Sequence, residues 1–464
     1  MKVKIGLETH VQLNTQSKIF CGCRNPVNLK KETRPNTLTC DTCLGLPGTK
    51  PRINRAVIDM AIKLALALES EIAHGTFFSR KTYFYPDMNK NFQITQYEIP
   101  LSCHGSVNVS GKKIKIKRIH MEEDPAKLVH VGGLGGKYVL VDYNRAGIPL
   151  LEIVTEPDFS SPAEARIYLQ KLETMLEYLG IYYSTSRAVM KSDANISMEG
   201  GSRVEVKNIT GTKDVEQALN YEILRQTNLL KRGIKVERET RMWNPGIGAT
   251  QDMRGKEEEE EYGYIFEPDL TRIDIQDAYI EKIKKELPEL PDQKFVRFVR
   301  DYKLPEKVAE SIVSELDLAE LFEQIAKDVG PKLAGTWIAG YLKKTLNWHN
   351  LRFRESGLRK EWLIYLLKEF GAGKITDRNA ELVIRHMVKE KEQPGKIIKK
   401  YKLGKAKIDL EAIVKKVVEE NKKAVEDFKK GEEKAIHYLV GQVMKSTRGQ
   451  VDATEIKHTI LRML

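Results

Sequence analysis

Gly6-Leu7-Glu8-Thr9-His10-Val11-Gln12-Leu13, followed by Cys21-Gly22-Cys23 and Cys40-Asp41-Thr42-Cys43, is the stretch that decides how this chain reads. The run from Gly6 to Leu13 alternates apolar and polar residues, the period of a half-buried strand. Glu8 and His10 are two apart, so they project from one face of that strand. The four cysteines form two close pairs with sixteen residues between them. Two pairs on tight turns, joined by a loop that lets four thiolates converge, are what a tetrahedral Zn2+ needs. Two disulfides or idle thiols are the alternative. A strand bearing Glu and His, pinned beside a structural metal, predicts one wall of an active site.

At 464 residues the chain has room for two to four domains of roughly 100–200 residues each. Cores of that size need no disulfides for stability. Lys and Arg number 77 against 65 Asp and Glu, a net charge of +12. Excess basic charge points to nucleic acid as a partner, and it equally fits a lysine-rich thermostable surface. The opening Met1–Glu8 lacks the apolar region of a secretory signal. The most apolar stretch, Ala56–Leu68, is too short to span a bilayer and carries Asp59 and Lys63. The expectation is no membrane association, with the cytoplasm as compartment.

To about residue 280 strand-like and helix-like segments mix. Lys113–Ile119 alternates, and Lys127–Val131 and Lys137–Asp142 read as strands with a glycine-rich turn, 132–136, between them. That turn lacks the spacing of a phosphate loop. Ser161-Pro162-Ala163-Glu164 is a capping box with Pro at the first helical position. It predicts a helix with Ala165, Leu169, Leu172, Leu176 and Leu179 buried and Gly180 as its stop. Asn54 should cap a helix running to Leu68, and Asp214–Lys231 should form another. Pro288 and Pro291 mark a boundary. Beyond it the chain reads as helices: Lys307–Leu316, Ala319–Val329, Lys360–Phe370 and Asp377–Glu392. Lys391–Lys407 reads as a lysine-rich connector broken by Pro394, Gly395 and Gly404, and Leu410–Leu464 as helical again. The expected class is α+β: a mixed catalytic domain with a zinc knot over 1–285, an all-helical domain over 286–403 and a small helical tail over 404–464.

Acidic clusters recur in the first part. Beside Glu8 and His10 stand His120-Met121-Glu122-Glu123-Asp124, Asp193 within Ser192–Ser197, and Glu205 within Glu205–Asn208. Oxygen ligands of this kind suit Mg2+ held with substrate phosphates; taken singly, each acidic pair reads first as a solvated or ion-paired strand end. Arg80-Lys81-Thr82-Tyr83-Phe84-Tyr85-Pro86-Asp87 interleaves basic and aromatic residues, able to hold a nucleotide's phosphates and base, or to serve as an aromatic core strand. Glu257–Glu261 reads as a solvated charge run. No G-x-S-x-G elbow is present, and no spare cysteine has an evident base beside it, so no machinery for releasing ammonia from an amide is expected.

These segments, with Cys43–Gly48, Gln93–Tyr97, Asp142–Asp158, Glu267–Leu270 and Leu439–Lys445, resemble one family over the whole chain: the B subunits of the tRNA-dependent amidotransferase. Family members convert Asp-tRNA(Asn) or Glu-tRNA(Gln) to the amide. The resemblance implies a cradle-like catalytic domain, then a helical domain, then a tail that touches tRNA. It implies ATP and Mg2+ as cofactors beside Zn2+, phosphorylation of the side-chain carboxylate, and amidation by ammonia. The ammonia would come from a glutaminase (A) subunit, with a small C subunit completing a heterotrimer. It assigns Glu8, His10, Glu122, Glu123, Asp193 and Glu205 to the catalytic site, with Glu8, His10 and Glu123 on magnesium. Nucleotide contacts fall to Arg80, Lys81, Tyr83, Tyr85, Asn144 and Arg145, and tRNA contacts to Lys399, Lys400, Lys445 and Arg448. A non-catalytic, zinc-stabilised tRNA-binding scaffold is the competing expectation.

Overall fold

Val3–Gln12 forms the strand that its alternation predicts: Ile5, Leu7, Thr9 and Val11 are buried in the core, while Glu8, His10 and Gln12 turn to the other face. The computed structural model describes residues 1–131, 138–253, 262–404, 410–429, 432–447, 451 and 453–464. The glycine-rich turn at 132–136, the acidic run at 257–261, and Lys405, Lys407 and Arg448 lie outside the described residues. The chain divides into two compact units, Met1–Pro291 and Asp292–Leu464.

The first unit is built on a 12-stranded mixed sheet. Val3–Gln12 lies near its middle, between the antiparallel strands Pro149–Thr155 and Met190–Met198. Pro149–Thr155 in turn pairs with Lys112–Glu123. Val204–Thr210 pairs with Met190–Met198 on one side and runs parallel to Glu239–Asn244 on the other. At the far edge Ser79–Thr82 pairs with Phe92–Thr95 and with Gly263–Phe266. Helices Arg55–Ala67, Pro162–Tyr178 and Thr212–Lys231 share one core with these strands, joined through Val57, Ala61, Leu169, Leu172, Leu176, Ala218 and Leu219. Burying a large apolar side chain of this kind contributes roughly 1.5–3 kcal/mol.

The helix starts follow local chemistry. Ser161 accepts the Glu164 amide at 3.3 Å and Asn54 accepts the Ala56 amide at 3.0 Å; an N-cap of this kind is worth about 1 kcal/mol. Gly180 ends the first of these helices at φ +69°, a conformation open to glycine at no steric cost.

Lys112–Glu123 departs from strict alternation. Opposite Val154 and Thr155 stand Arg118 and Ile116, so Lys117 is an extra residue, a β-bulge. The bulge shifts the phase. Ile114 and Ile116 face the core before it and Ile119 and Met121 after it, which turns Arg118, His120 and Glu122 to the opposite face.

The second unit is helical throughout its described residues. The expected connector at Lys391–Lys407 is corrected: Pro394–Tyr401 is a helix. Pro394 does not break it but starts it from the first turn, where its missing N–H costs nothing, and Ile397 anchors it in the core. The final helices, from Leu410–Glu420 to Ala453–Met463, close on their own core around Val414, Leu439, Val443 and Ile460. Among the described residues no helix is long and apolar enough to cross a membrane.

Candidate active site and cysteine metal site

Sheet register assembles the site. Lys191, His10, Glu152 and His120 stand in one row across four neighbouring strands. Asp193 is opposite Glu8, and Glu122 is opposite Leu150 and Thr95. His10 Nε2 lies 3.4 Å from Glu152 Oε2, 3.6 Å from Glu122 Oε1 and 3.7 Å from Glu8 Oε1. His120 Nε2 lies 3.1 Å from the same Glu152 oxygen and 3.7 Å from Glu122 Oε2. Glu152 therefore sits between two imidazoles, with Arg118 3.6 Å from its other oxygen. Two ligand sets result, Glu8–His10–Glu152 and His120–Glu122–Glu152, each able to close on a cation.

The electrostatics follow from this crowding. Burial works against a charged His10, yet its hydrogen bond to Glu152 and the fields of Glu152, Glu122 and Glu8 outweigh it and push its pKa up to about 10. For His120, burial is again outweighed, here by Glu152 and Glu122, and the pKa reaches about 9. Glu152 is held well below the usual carboxylate range: burial opposes this, but both imidazoliums favour the anion. Burial, reinforced by Glu152, pushes Glu8 up to about 7. Without a metal the cluster is thus a proton-laden set of ligands, and a cation entering it would have to expel protons.

The residues expected from sequence do not all converge. Glu8, His10 and Glu122 meet in the cluster. Asp193 is beside it, accepting the Asn208 amide at 2.6 Å, and Lys207 ties Asp193 (3.3 Å) to Glu205 (2.7 Å). Glu123 is a correction. It follows Glu122 on the strand, so it points through the sheet to the other face, where it pairs with Lys90 and accepts the Ile94 amide at 2.9 Å. It is not placed to share a cation with Glu8 and His10. Arg80 is a second correction: its guanidinium is committed to Glu267 by two bonds of 2.8 Å, on the same far face, while Lys81 turns to the cleft. Tyr83 and Tyr85 line the cleft with Lys81. Asn144 and Arg145 reach its wall but are occupied as loop staples. Asn144 accepts the Leu38 amide at 2.7 Å and donates to the Arg34 carbonyl at 2.7 Å; Arg145 donates to the Pro125 carbonyl at 2.8 Å. Glu152, His120 and Lys191 carry no assignment from the sequence; their place is set by pairing between distant strands.

Two cavities open on the cluster, one of about 880 Å³ and one of about 610 Å³. Glu8, Lys81, Glu122, Glu152 and Tyr262 line both.

The cysteines do converge. The Sγ atoms of Cys21, Cys23, Cys40 and Cys43 lie within 4.8 Å of one another, and none is in a disulfide. Cys43 is pushed down to about 5, chiefly by a hydrogen bond from Cys21, with help from the Cys40 amide at 3.1 Å and the Lys18 ammonium at 3.6 Å. The same shared proton pushes the Cys21 thiol up. Four sulfurs at this spacing, with Cys43 the one most readily ionised, fit a closed tetrahedral site for a metal such as zinc. Lys18 is fully buried beside Cys43, and nothing in the local sequence pattern marks it for that place.

A mixed sheet with helices on one face, a carboxylate–histidine cluster on the other and a cysteine metal site beside it defines an α+β enzyme domain. Residues 3–281 match the GatB/GatE catalytic domain, and residues 320–464 match the GatB domain. A protein of Methanosarcina barkeri, named as the B subunit of aspartyl/glutamyl-tRNA(Asn/Gln) amidotransferase, is 45% identical, over 100% of this chain and 98% of its own length. Proteins of the same name from Methanoregula boonei (45% identical, 100% of this chain and 98% of its own) and Haloquadratum walsbyi (42%, 99% and 96%) are similar along almost their whole length. The chain belongs to the GatB/GatE family.

Proposed function

We propose that this GatB-type subunit carries the ligase half of a tRNA-dependent amidotransferase that forms Asn-tRNA(Asn) or Gln-tRNA(Gln). The observation that carries this reading is the Glu8–His10–Glu122–Glu152 cluster, set within the family's catalytic domain and reached from two cavities. A carboxylate is a poor electrophile. An oxygen of the Asp or Glu side chain on the charged tRNA attacks the γ-phosphorus of ATP, the bond to ADP breaks and ADP leaves. Ammonia then attacks the acyl carbon of the acyl phosphate, the bond to phosphate breaks, and the nitrogen loses its proton to give the amide. Mg2+ held by Glu8, His10 and Glu152, or by His120, Glu122 and Glu152, would supply charge neutralisation at the transferring phosphoryl group, where catalysis of this class resides. Lys191, beside His10 in register, and Lys81, on the cleft wall, offer further positive charge to the same group. Lys207 fixes Asp193 and Glu205 as flanking anions.

A glutaminase (A) subunit would supply the ammonia and a C subunit would complete the assembly in the cytoplasm, with zinc in the cysteine knot. The working division is a catalytic domain over 1–285, a helical domain over 286–403 and a tail over 404–464. Lys399 and Lys445 are exposed and suited to phosphate. Lys400 is paired with Glu390 at 2.8 Å and would have to leave it to reach RNA. A non-catalytic scaffold gives no reason for two histidines around one buried glutamate, and the match to a catalytic domain counts against it.

The test is ADP release by the assembled enzyme with Mg-ATP and glutamine, with and without Asp-tRNA(Asn) or Glu-tRNA(Gln). Release that depends on a charged tRNA is expected. Tight tRNA binding without it would favour the scaffold.

A further inference from the structure

Among the described residues, three lysine or arginine side chains are buried: Lys18, Arg241 and Lys294. Arg241 pairs with Glu222 at 3.2 Å and with Glu239 at 3.1 Å, and Lys294 pairs with Glu323 at 2.7 Å. Lys18 is the most deeply buried of the three, at 0% exposure, and it pairs with no carboxylate among the described residues. Its Nζ donates to Cys43 Sγ at 3.6 Å and to the Tyr143 carbonyl at 3.3 Å. A buried ammonium is costly unless a counter-charge meets it. The sulfur is the one neighbour of Lys18 Nζ that can carry such a charge.

The charge on the cysteine knot depends on its state. Two disulfides carry none and would leave the ammonium facing neutral sulfur. A divalent metal held by four thiolates carries a net double negative charge. Of the four cysteines Cys43 is the buried one, while Cys21, Cys23 and Cys40 are partly open to water. Charge on the Cys43 sulfur therefore has to be met from within the protein, on the side where Lys18 stands. We propose that Lys18 is the built-in counter-charge of the metal-loaded knot, a positioning residue that favours four thiolates around a divalent cation over disulfides or idle thiols. This rests on the reading of the knot as a metal site and adds which residue outside the ligand set tunes it.

Backbone contacts hold the lysine in place. The Lys18 amide donates to the Cys23 carbonyl at 2.9 Å, and the Ile19 amide to the Gly147 carbonyl at 3.0 Å. Gly147, at φ +82°, turns the chain where a side chain would touch both the Lys18 stem and Cys43. The Cys40 amide donates to the same Cys43 sulfur at 3.1 Å, so two donors converge on one ligand atom. Partners of this kind, one step beyond the ligands, fix ligand orientation and metal affinity.

The test uses the full chain as wild type, Lys18→Met and Lys18→Arg. Zinc affinity is measured by competition with a chromophoric chelator. Melting temperature is measured with zinc bound and after zinc is stripped under reducing conditions. Lys18→Met keeps the bulk and removes the charge, and it should bind zinc roughly 10- to 100-fold more weakly. It should melt lower than wild type with zinc bound and no lower once zinc is stripped, because the change then removes a buried charge. Lys18→Arg keeps the charge, beside a cavity of about 280 Å³ that gives it room, and should bind zinc more tightly than Lys18→Met. Zinc affinity of Lys18→Met equal to wild type would overturn the inference. So would the same fall in melting temperature with and without zinc, or loss of zinc or fold in both variants alike, since packing alone would then explain the lysine. Wild-type protein that takes up no zinc would instead fail the metal reading of the knot itself.

Discussion

The cysteine knot and the histidine–carboxylate cluster sit in the same unit and are built in opposite ways. The four sulfurs come from residues 21 to 43, a short local segment closed on itself. The five ligands of the cluster come from three strands and residues as far apart as 8 and 152, brought together by register alone. The knot is soft and closed, with a buried lysine beside the Cys43 sulfur. The cluster is hard and open, facing two cavities, and holds more protons than its residue types hold in water. On the proposed reading, the local closed site would serve stability and the dispersed open one chemistry.

The sharpest way to break that contrast is Glu152→Gln. It removes the anion between His10 and His120, and tRNA-dependent ADP release should fall by on the order of 100-fold or more. Both histidines can shed their protons once the anion is gone, so the fold should survive, which thermal melting checks. Glu123→Gln, on the far face, should leave Mg2+ affinity within about twofold of wild type; a loss equal to that of Glu152→Gln would return Glu123 to the metal.

On the knot, the prediction is one zinc per chain in metal-replete protein. Cys43→Ser should cost several kcal/mol of unfolding free energy, on the order expected for losing a structural zinc ligand. The turnover of the fraction still folded should change little. A variant equally stable but inactive would reverse the roles of the two sites.

The pH dependence sharpens the electrostatic half of the comparison. His10 and His120 have folded pKa values of about 10 and 9, raised from an ordinary 6.5. Their contribution to the metal-free protein is complete below pH 6.5 and is lost as pH rises through 9 to 10. Glu8, raised to about 7, acts in the same direction, since ionising it costs stability. Metal-free protein should therefore melt lower at about pH 10 than at about pH 7, and His10→Gln should flatten that slope, read by calorimetry. Metal affinity should move the other way and rise with pH, because the cation displaces protons.

The smallest effect is expected in the tail. Lys445→Glu should weaken tRNA binding without changing ATP affinity and reduce the salt slope by about one. An unchanged slope would remove Lys445 from the interface.

How much of this is legible in the sequence follows from the same contrast. Helix caps at Asn54 and Ser161, the stop at Gly180 and the cysteine pairs are local, and the chain's own spacing reveals them. Glu152 lies in Leu150-Leu151-Glu152-Ile153-Val154, which reads as an ordinary strand until its register against His10 and His120 is known. Glu122 and Glu123 are adjacent, and which of them faces the cleft depends on parity, which the bulge at Lys117 resets. Arg80 and Lys81 pose the same question, resolved by Glu267, a partner distant in sequence, taking the arginine. The Lys391–Lys407 segment misleads in another way: Pro394 reads as a breaker, yet its position makes it a helix start.

The central claim is that the histidine–carboxylate cluster transfers phosphate to a side-chain carboxylate. The most direct measurement replaces ammonia with hydroxylamine and supplies Mg-ATP with Asp-tRNA(Asn) or Glu-tRNA(Gln). Side-chain hydroxamate should form on the tRNA-borne amino acid, one per ADP released, and Glu152→Gln should abolish both together. ADP released without hydroxamate, or hydroxamate formed undiminished by Glu152→Gln, would contradict the account.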